Sequence, residues 1–437
     1  MKKSQSARLA MLLAACLVAC SGDDNNGTPN PDSGTLDATT DAPPSEGGNP
    51  DAKLGDATGD TNQSADGGAD AALDAAGPGT DSGIQAGADT GLDVTPAPGI
   101  VGLPGYTVTV FATGGMTYSH PDSLELDGTH VWVGYNMGVK SKNGTDAGAP
   151  YSSAVVEYNL DGSLAGKSFA VPGHCDGVRV DPATHIVWAT SNEDGNPIVM
   201  SYDPATGTPT TYTLAAPPGH GGGLDDMAFI DGQFIVVNSN PTPDDAGVFS
   251  VPALSAIHVS GTTISFSPIL MGDAIAHNFY ANTDGALNLS DPDSLSIDDK
   301  GNLVLVAQAD SQLVVIKNPG GAGADGGADA SADGGDGGGA QSVTVYPVAT
   351  QLDDTVWATK ATGVLLVADE TANTIYTVHA TFTPGTIYTV APSDSSIPGI
   401  VGTVDLAGMP QPGPTFAPVH PIILGLKSPT GLIFVPQ

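Results

Sequence analysis

A short phrase recurs along this sequence and restricts the folds that the chain can adopt. In each copy an Asp or its equivalent and a short turn precede an alternating strand. The copies read HPDSLELDG (120–128), GHCDGVRVD (173–181), LDDMAFIDG (224–232), DPDSLSIDD (291–299), QLDDTVWA (351–358) and SPTGLIFVP (428–436). Their spacing of roughly 50 to 75 residues is typical of propeller blades and similar arrays. Aligning the strands places at one equivalent position Asp122, Asp176, Asp226, Asp293 and Asp354, with Thr430 in the sixth copy.

The segments between these copies contain more short strands in a fixed order. The first repeat reads SLELD, HVWVGYN, AVVEYNL and KSFAV, and no segment has a convincing helical stripe. Short strands separated by Gly-rich turns favour an all-β radial array. We predict a β-propeller over residues 99–437, with six four-stranded blades and with five or seven blades as the alternatives.

The two ends of this domain complement each other. GLIFVP (431–436) matches the inner strand of a blade, and YTVTVFATG (106–114) matches an outer strand. Pairing them in one last blade closes the ring and removes two exposed sheet edges. That blade needs middle strands from residues 397–427, because GVLLVAD and NTIYTV follow TVWAT and are assigned to the fifth blade.

Two segments interrupt the repeat. A Gly-, Asp- and Ala-rich insertion at about 319–340 lies between the third and fourth strands of blade four, and its composition predicts disorder. The segment 271–289 carries aromatic residues and is predicted to cover a face of the ring.

The N-terminus reads MKKSQSARLAMLLAACLVACSG, with a basic start, a short apolar run and a cysteine after small residues. The run is too short to cross a bilayer, so it predicts a signal peptide at 1–19. LVAC at 17–20 resembles the lipobox of bacterial lipoproteins, which implies a diacylated Cys20. An ordinary secretory signal is the alternative. Because Ser21 follows the cysteine instead of Asp, the resemblance implies the outer membrane of a diderm bacterium, facing the periplasm or the cell surface.

The net charge of −36 excludes nucleic acid as a partner. The acidic composition also predicts a second disordered region. Without a basic stripe the chain is not expected to bind nucleic acid, and contact with membrane is expected only through the lipid. Residues 20–98 are rich in Asp, Ala and Gly without hydrophobic period, which predicts an extended tether. We expect a monomer.

The blade phrases SPTGLIFVP and DPDSLSIDDKGNLVLVAQ resemble those of six-bladed propellers of the NHL, strictosidine-synthase and SMP-30 (gluconolactonase) superfamily. The resemblance covers about 99–437 and specifies architecture better than chemistry. Gluconolactonase-like enzymes hold a divalent ion with a Glu, two Asn and an Asp. Here no Glu stands at the repeat position, so no catalytic residue is assigned.

The aligned aspartates begin inner strands and should meet at one mouth of the central channel. The ends of second strands should join them there, with Asn192 and Asn238 among them. Converging carboxylates repel one another, and Ca²⁺ or another divalent cation compensates that repulsion with oxygen ligands. The candidate metal ligands are therefore Asp122, Asp176, Asp226, Asp293, Asp354, Asn192 and Asn238. The alternative is that each Asp caps a turn by accepting backbone N–H bonds.

Three other features could carry chemistry, and each has a simpler interpretation. His120, His174 and His220 precede inner strands and could form a zinc site, although hydrogen-bonding histidines are favoured. Cys175 is interpreted as a buried, unreactive thiol rather than a nucleophile paired with His174, because adjacent strand residues point to opposite faces. GHGGG at 219–223 is interpreted as a blade connection, because no G-x-S-x-G motif accompanies it.

These features favour a lipid-anchored, extracytoplasmic propeller that binds a small molecule or a protein at its channel mouth without catalysis. The alternative is a divalent-metal-dependent hydrolase of lactone or ester type with its site at the same mouth.

Overall fold

The computed structural model describes residues 97–140, 152–216, 218–321, 339–393, 398–407 and 415–437. The regular elements within these ranges are all β-strands, and none of the described residues forms a helix that could cross a membrane. The predicted leader, Cys20 and nearly all of the tether lie outside the described residues. So does most of the insertion, of which 319–321 and 339–340 are described.

Six sheets form the blades of a propeller, which confirms the predicted fold. Inner strands contact inner strands of neighbouring blades around the whole ring and enclose a central channel. Blade 1 contains Pro121–Asp127, His130–Tyr135, Ser152–Asn159 and Leu164–Pro172. Blade 2 contains Cys175–Val180, Val187–Ser191, Ile198–Asp203 and Thr208–Thr211. Blade 3 contains Gly223–Ile230, Gln233–Ser239, Pro252–Ser260 and Thr263–Met271, with Thr213–Leu214 added in parallel.

Blades 4 and 5 also extend the basic four-stranded pattern, and blade 6 keeps it. Blade 4 contains Pro292–Ile297, Leu303–Ala307, Gln312–Lys317 and Ser342–Pro347, followed outward by the hairpin Ile275–Asn278 and Thr283–Ala286. Blade 5 contains Thr355–Trp357, Ile387–Ala391, Gly399–Val404, Val419–Leu426 and Val101–Gly102. Blade 6 contains Pro429–Pro436, Gly363–Asp369, Thr374–His379 and Thr107–Thr113.

Blade 6 joins the two ends of the domain, as predicted. Its inner strand is Pro429–Pro436 and its outer strand is Thr107–Thr113, so neither is left as a lone edge. The middle strands, however, come from residues 363–379 and not from 397–427. The chain leaves the inner strand of blade 5, builds the middle of blade 6, and then returns to complete blade 5.

The prediction for the segment 271–289 was also wrong. Its hairpin pairs with the outer strand of blade 4 through His277 and Thr344, so it lies at the rim and does not cover the ring face. Phe279 stacks on Tyr346 with ring centroids 4.8 Å apart, and this aromatic contact holds the hairpin against the blade.

The inner strands share an irregularity that positions the candidate site. In five blades the pairing with the second strand skips two residues, which is a β-bulge. In blade 5 Asp353 and Asp354 occupy the same place, since both bond to Val390 through their backbones. We name these two residues the first and second bulge positions.

The residue after each bulge anchors the ring. Leu124, Leu295 and Leu432 occupy this place in blades 1, 4 and 6 and are at most 2% exposed. Burying a leucine side chain stabilises the folded state by about 2 kcal/mol. The bulge is therefore held between buried anchors, and its two residues keep a fixed direction at the channel.

Candidate functional site

The first bulge positions converge at one mouth of the channel. They are Asp122, Asp176, Asp225, Asp293 and Asp353, with Thr430 in blade 6. All six line a cavity of ≈ 300 Å³, which we name the carboxylate pocket. The predicted alignment was therefore shifted by one residue in two blades: Asp226 and Asp354 are second-position residues. The sequences LDDM and LDDT allow either Asp to be aligned, and only the bulge separates them.

Side chains at second bulge positions connect several of the blades to the next. Ser123 Oγ accepts a hydrogen bond from the Val178 backbone N–H at 2.9 Å. Asp226 Oδ2 does the same for Leu295 at 2.9 Å, and Asp354 Oδ2 for Leu432 at 2.8 Å. Asp226 and Asp354 thus perform the capping role that was the alternative to metal binding, although both also border the pocket.

The residues that follow second strands contribute a further layer. Asn136, Asn192, Gln308 and Glu370 are equivalent, because each backbone N–H donates to the segment before the inner strand. Three of them line the carboxylate pocket, but Asn192 does not. It has a φ of 67°, and its side chain bonds the His174 N–H and the Asn196 carbonyl instead. Glu193 enters the pocket in its place.

Asn238 lies outside the pocket as well, and its Nδ2 donates to Ser255 Oγ at 2.8 Å. The structure therefore brings neither of the two predicted asparagines to the carboxylates. Sequence reasoning missed Glu193 and Glu370. Their signal was their place near the ends of the second strands of blades 2 and 6: Glu193 is the second residue after Ser191, and Glu370 directly follows Asp369.

Glu193, Asp225 and Asp293 form the most strained part of the pocket electrostatically. One carboxylate oxygen from each lies within 4.8 Å of the others. Asp225 Oδ2 and Asp293 Oδ2 are buried and have no hydrogen-bond partner among the described residues, and Asp225 is only 7% exposed. Burial raises the pKa of Asp225 well above its ordinary value, and the nearby charges of Asp293 and Glu193 raise it further.

The same causes act on the neighbouring carboxyl groups. Burial, with the charge of Asp176 second, raises the pKa of Glu193 well above its usual range. Burial is also the largest cause of the raised pKa values of Asp293 and Asp353, and it raises the pKa of Asp122 to about 8. Such a pocket holds protons or needs another positive charge.

A second group of side chains in the pocket, His174 and Asp176, balances its own charge. His174 Nδ1 and Asp176 Oδ1 are 2.5 Å apart, and Glu193 lies beside both. Burial alone lowers the pKa of His174, but the charge and hydrogen bond of Asp176 together with the charges of Asp122 and Glu370 outweigh it, and the pKa rises to about 9. At neutral pH the two groups share one proton, and the pair carries no net charge.

Arg179 closes the floor of the pocket. Its guanidinium pairs with Asp226 and donates to the carbonyls of Met227, at 2.9 Å, and Leu295, at 2.9 Å. These contacts join the inner strands of blades 2, 3 and 4. Arg179 and Asp354 also border the cavity at the opposite mouth, so they separate the two cavities.

The three predicted histidines do not come together. Of the three, only His174 lines the carboxylate pocket. The His120 backbone N–H donates to Asn373 Oδ1, and His220 is buried, with Nε2 2.7 Å from the Gly223 carbonyl oxygen. Cys175 is fully buried as predicted, and its pKa is raised by burial and by the charge of Asp176. GHGGG connects blades 2 and 3, where a Cβ on Gly223 would meet the Asn192 carbonyl at 1.9 Å.

The fold and the site define a class: a six-bladed β-propeller with an anionic pocket at one mouth of its channel. No family model and no curated relative matches the chain. Solved structures with similar folds include a streptogramin B lyase, 11% identical over 70% of this chain and 71% of its own, with a TM-score of 0.35.

Two further solved structures have similar folds. The virginiamycin B lyase of Staphylococcus aureus is 10% identical over 70% of this chain and 72% of its own, with a TM-score of 0.35. A protein from Lactobacillus plantarum is 12% identical over 72% of this chain and 88% of its own, with a TM-score of 0.39. Similarities at this level carry no functional assignment.

Proposed function

We propose that this propeller is a binding module that holds a hard divalent cation, Ca²⁺, at the carboxylate pocket. The observation that carries the proposal is the pair of buried, unpartnered oxygens, Asp225 Oδ2 and Asp293 Oδ2, beside Glu193. Buried polar atoms are normally satisfied, and an exception calls for a bound partner. Calcium takes flexible sets of carboxylate oxygens, which is the ligand type offered here.

The choice between the two candidate groups follows from charge. His174 and Asp176 already neutralise each other. Asp225 and Asp293 have no such counter-charge, and burial raises the pKa values of both well above their ordinary range, so the pair keeps a proton in the absence of a cation. A cation that displaces this proton relieves repulsion among three carboxylates, whereas a cation at His174 must first break an ion pair. The ion is therefore placed on Glu193, Asp225 and Asp293.

The cation would leave space for the ligand of the module. The remaining rim of the pocket offers Asn136, Gln308 and Thr430 as hydrogen-bonding groups. A cavity of ≈ 300 Å³ accommodates a small molecule or the tip of a protein loop. A ligand with oxygen donors would complete the coordination of the ion. Membership of the NHL and SMP-30 superfamily remains a prediction.

Calorimetric titration of the full chain with Ca²⁺ tests the proposal. We expect a stoichiometric site that is lost in the double variant Asp225→Asn and Asp293→Asn, because amides keep the shape and remove the charge. Asp203→Asn is the matched control, since Asp203 is exposed and bonds only within its own turn. Equal Ca²⁺ affinity in the double variant and the control would contradict the proposal.

The second candidate is a metal-dependent hydrolase of lactones or esters. The observation that favours it is the His174–Asp176 pair, which places a proton-transfer group beside the cation ligand Glu193. Ca²⁺-dependent turnover of a lactone panel that His174→Gln abolishes would support hydrolysis. Unchanged binding of Ca²⁺ without any turnover supports the binding module.

The lipid anchor belongs to the same proposal and is tested separately. The lipobox-like LVAC sequence supports attachment through Cys20 in the outer membrane. The Cys20→Ser variant should leave the membrane fraction for the soluble fraction. Unaltered partitioning of that variant would count against the anchor and would leave the cation site untouched.

A further inference from the structure

A second cavity occupies the opposite mouth of the channel. Its volume is ≈ 470 Å³, and the later halves of the inner strands of all six blades line it. We name it the amphipathic pocket. Its wall contains Glu125, Asp127, Arg179, Phe229, Ile297 and Ile433. Nothing in the cation-binding proposal uses this cavity.

One side of the amphipathic pocket is apolar. Phe229, Ile297, Val356 and Ile433 line it from blades 3 to 6. Phe229 is held in place by stacking on Phe234, with ring centroids 4.4 Å apart. Ile297 remains 41% exposed. Apolar surface held open to water in a concave site gains free energy when an apolar group covers it.

The other side is acidic and comes from blade 1. Glu125 and Asp127 lie on one inner strand and both border the pocket. Asp127 Oδ1 is 2.7 Å from His185 Nδ1, which is exposed. Glu125 Oε2 lies 3.7 Å from Arg179 Nη1, beyond hydrogen-bonding distance.

Arg179 does not fully compensate Glu125. The guanidinium donates to the carbonyls of Val178, Met227 and Leu295 and pairs with Asp226. Burial raises the pKa of Glu125 to about 7, even though the charge of Arg179 acts in the opposite direction. Ser296 Oγ, in the same wall, is buried and has no partner among the described residues. The pocket thus offers a carboxylate that Arg179 compensates only in part and a hydroxyl that lacks a donor.

We propose that the amphipathic pocket binds a small amphiphilic amine. Its apolar body covers Phe229 and Ile297, and its ammonium group donates to Glu125. The carboxylates select the positive charge, and the apolar wall selects a ligand with a hydrocarbon or aromatic body.

Calorimetry with 3-phenylpropylamine as the probe tests this inference in the full chain saturated with Ca²⁺. We expect a dissociation constant of about 1 mM or tighter. The neutral isostere 3-phenylpropan-1-ol should bind about tenfold more weakly, because it lacks the charge that Glu125 attracts. Glu125→Gln should remove this preference, and Phe229→Ala should weaken the binding of both compounds about tenfold.

Two further variants keep the test decisive. Ile297→Ser, at an exposed position, replaces Phe229→Ala if that variant does not fold. Asp225→Asn, in the other pocket, should retain or strengthen amine binding, because it removes the cation from the opposite mouth. Loss of amine binding in this variant would place the amine at the carboxylate pocket and overturn the inference. Equal binding of amine and alcohol, or no binding of either, would overturn it too.

Discussion

The carboxylates at the first and second bulge positions are neighbours in sequence, and they meet different surroundings. Asp225 at a first position faces other carboxylates and keeps an oxygen without a partner. Asp226, the next residue, pairs with Arg179 and accepts backbone N–H bonds from Met227 and Leu295. The comparison teaches that one residue type has two environments here: an uncompensated negative charge at one position, and an ion pair that joins the blades at the next.

The carboxylates at the first bulge positions should have the largest effect on the pH dependence of stability. Their pKa values are raised on folding, that of Asp122 from 3.8 to about 8, so the folded state holds protons that the unfolded chain releases. Stability should therefore fall as the pH rises from about 4 to about 8, by about 1.4 kcal/mol per pH unit for each such proton.

Urea unfolding in the presence of a chelator, at pH 5 and pH 8, measures this slope. Ca²⁺ should reduce the slope, because the ion replaces the protons. Stability that rises over this window would contradict the raised pKa values of the first-position carboxylates.

Asp226→Ala should cause the next largest effect. It removes the partner of Arg179 and leaves a buried guanidinium without its carboxylate, which costs about 3–5 kcal/mol. Urea unfolding measures the loss. The matched variant Asp225→Asn, one residue away, should cause no loss without Ca²⁺, because it relieves repulsion. Similar losses in both variants would remove the distinction between the positions.

Ser123→Ala should cause the smallest effect. It deletes the acceptor for the Val178 N–H at a second position that has no charge, at a cost of about 1 kcal/mol. Ser163→Ala is the control, since Ser163 bonds Asp161 in an exposed turn. A cost equal to that of Asp226→Ala would mean that the hydrogen bond, and not the ion pair with Arg179, holds the blades together.

The propeller could be predicted from the sequence because each blade repeats a local pattern of strands and turns. The meeting of Thr107–Thr113 and Pro429–Pro436 in one blade followed from edges that need partners. The crossing between blades 5 and 6 could not be predicted. GVLLVAD and IYTVA serve equally well as second strands, and only the packing of the whole ring decides between them.

The site was predictable in part for a similar reason. Asp122, Asp176 and Asp293 line the pocket as the repeat indicated. The repeat indicated Asp226 and Asp354 instead of Asp225 and Asp353. A bulge shifts the register of the strand, and the sequence of an Asp-Asp pair does not show which of the two residues faces the pocket. Glu193 enters only because Asn192 turns away with a positive φ, which is a backbone property of one loop.

Arg179 and Asp354 border both cavities, and this shared boundary makes the two mouths thermodynamically dependent on each other. A positive charge bound at one mouth raises the electrostatic potential at the boundary and disfavours a positive charge at the other. Linkage requires the penalty to be identical in both directions. A propeller loaded with cation should therefore release a cationic ligand from its opposite mouth more readily, and the ligand should loosen the cation by the same factor.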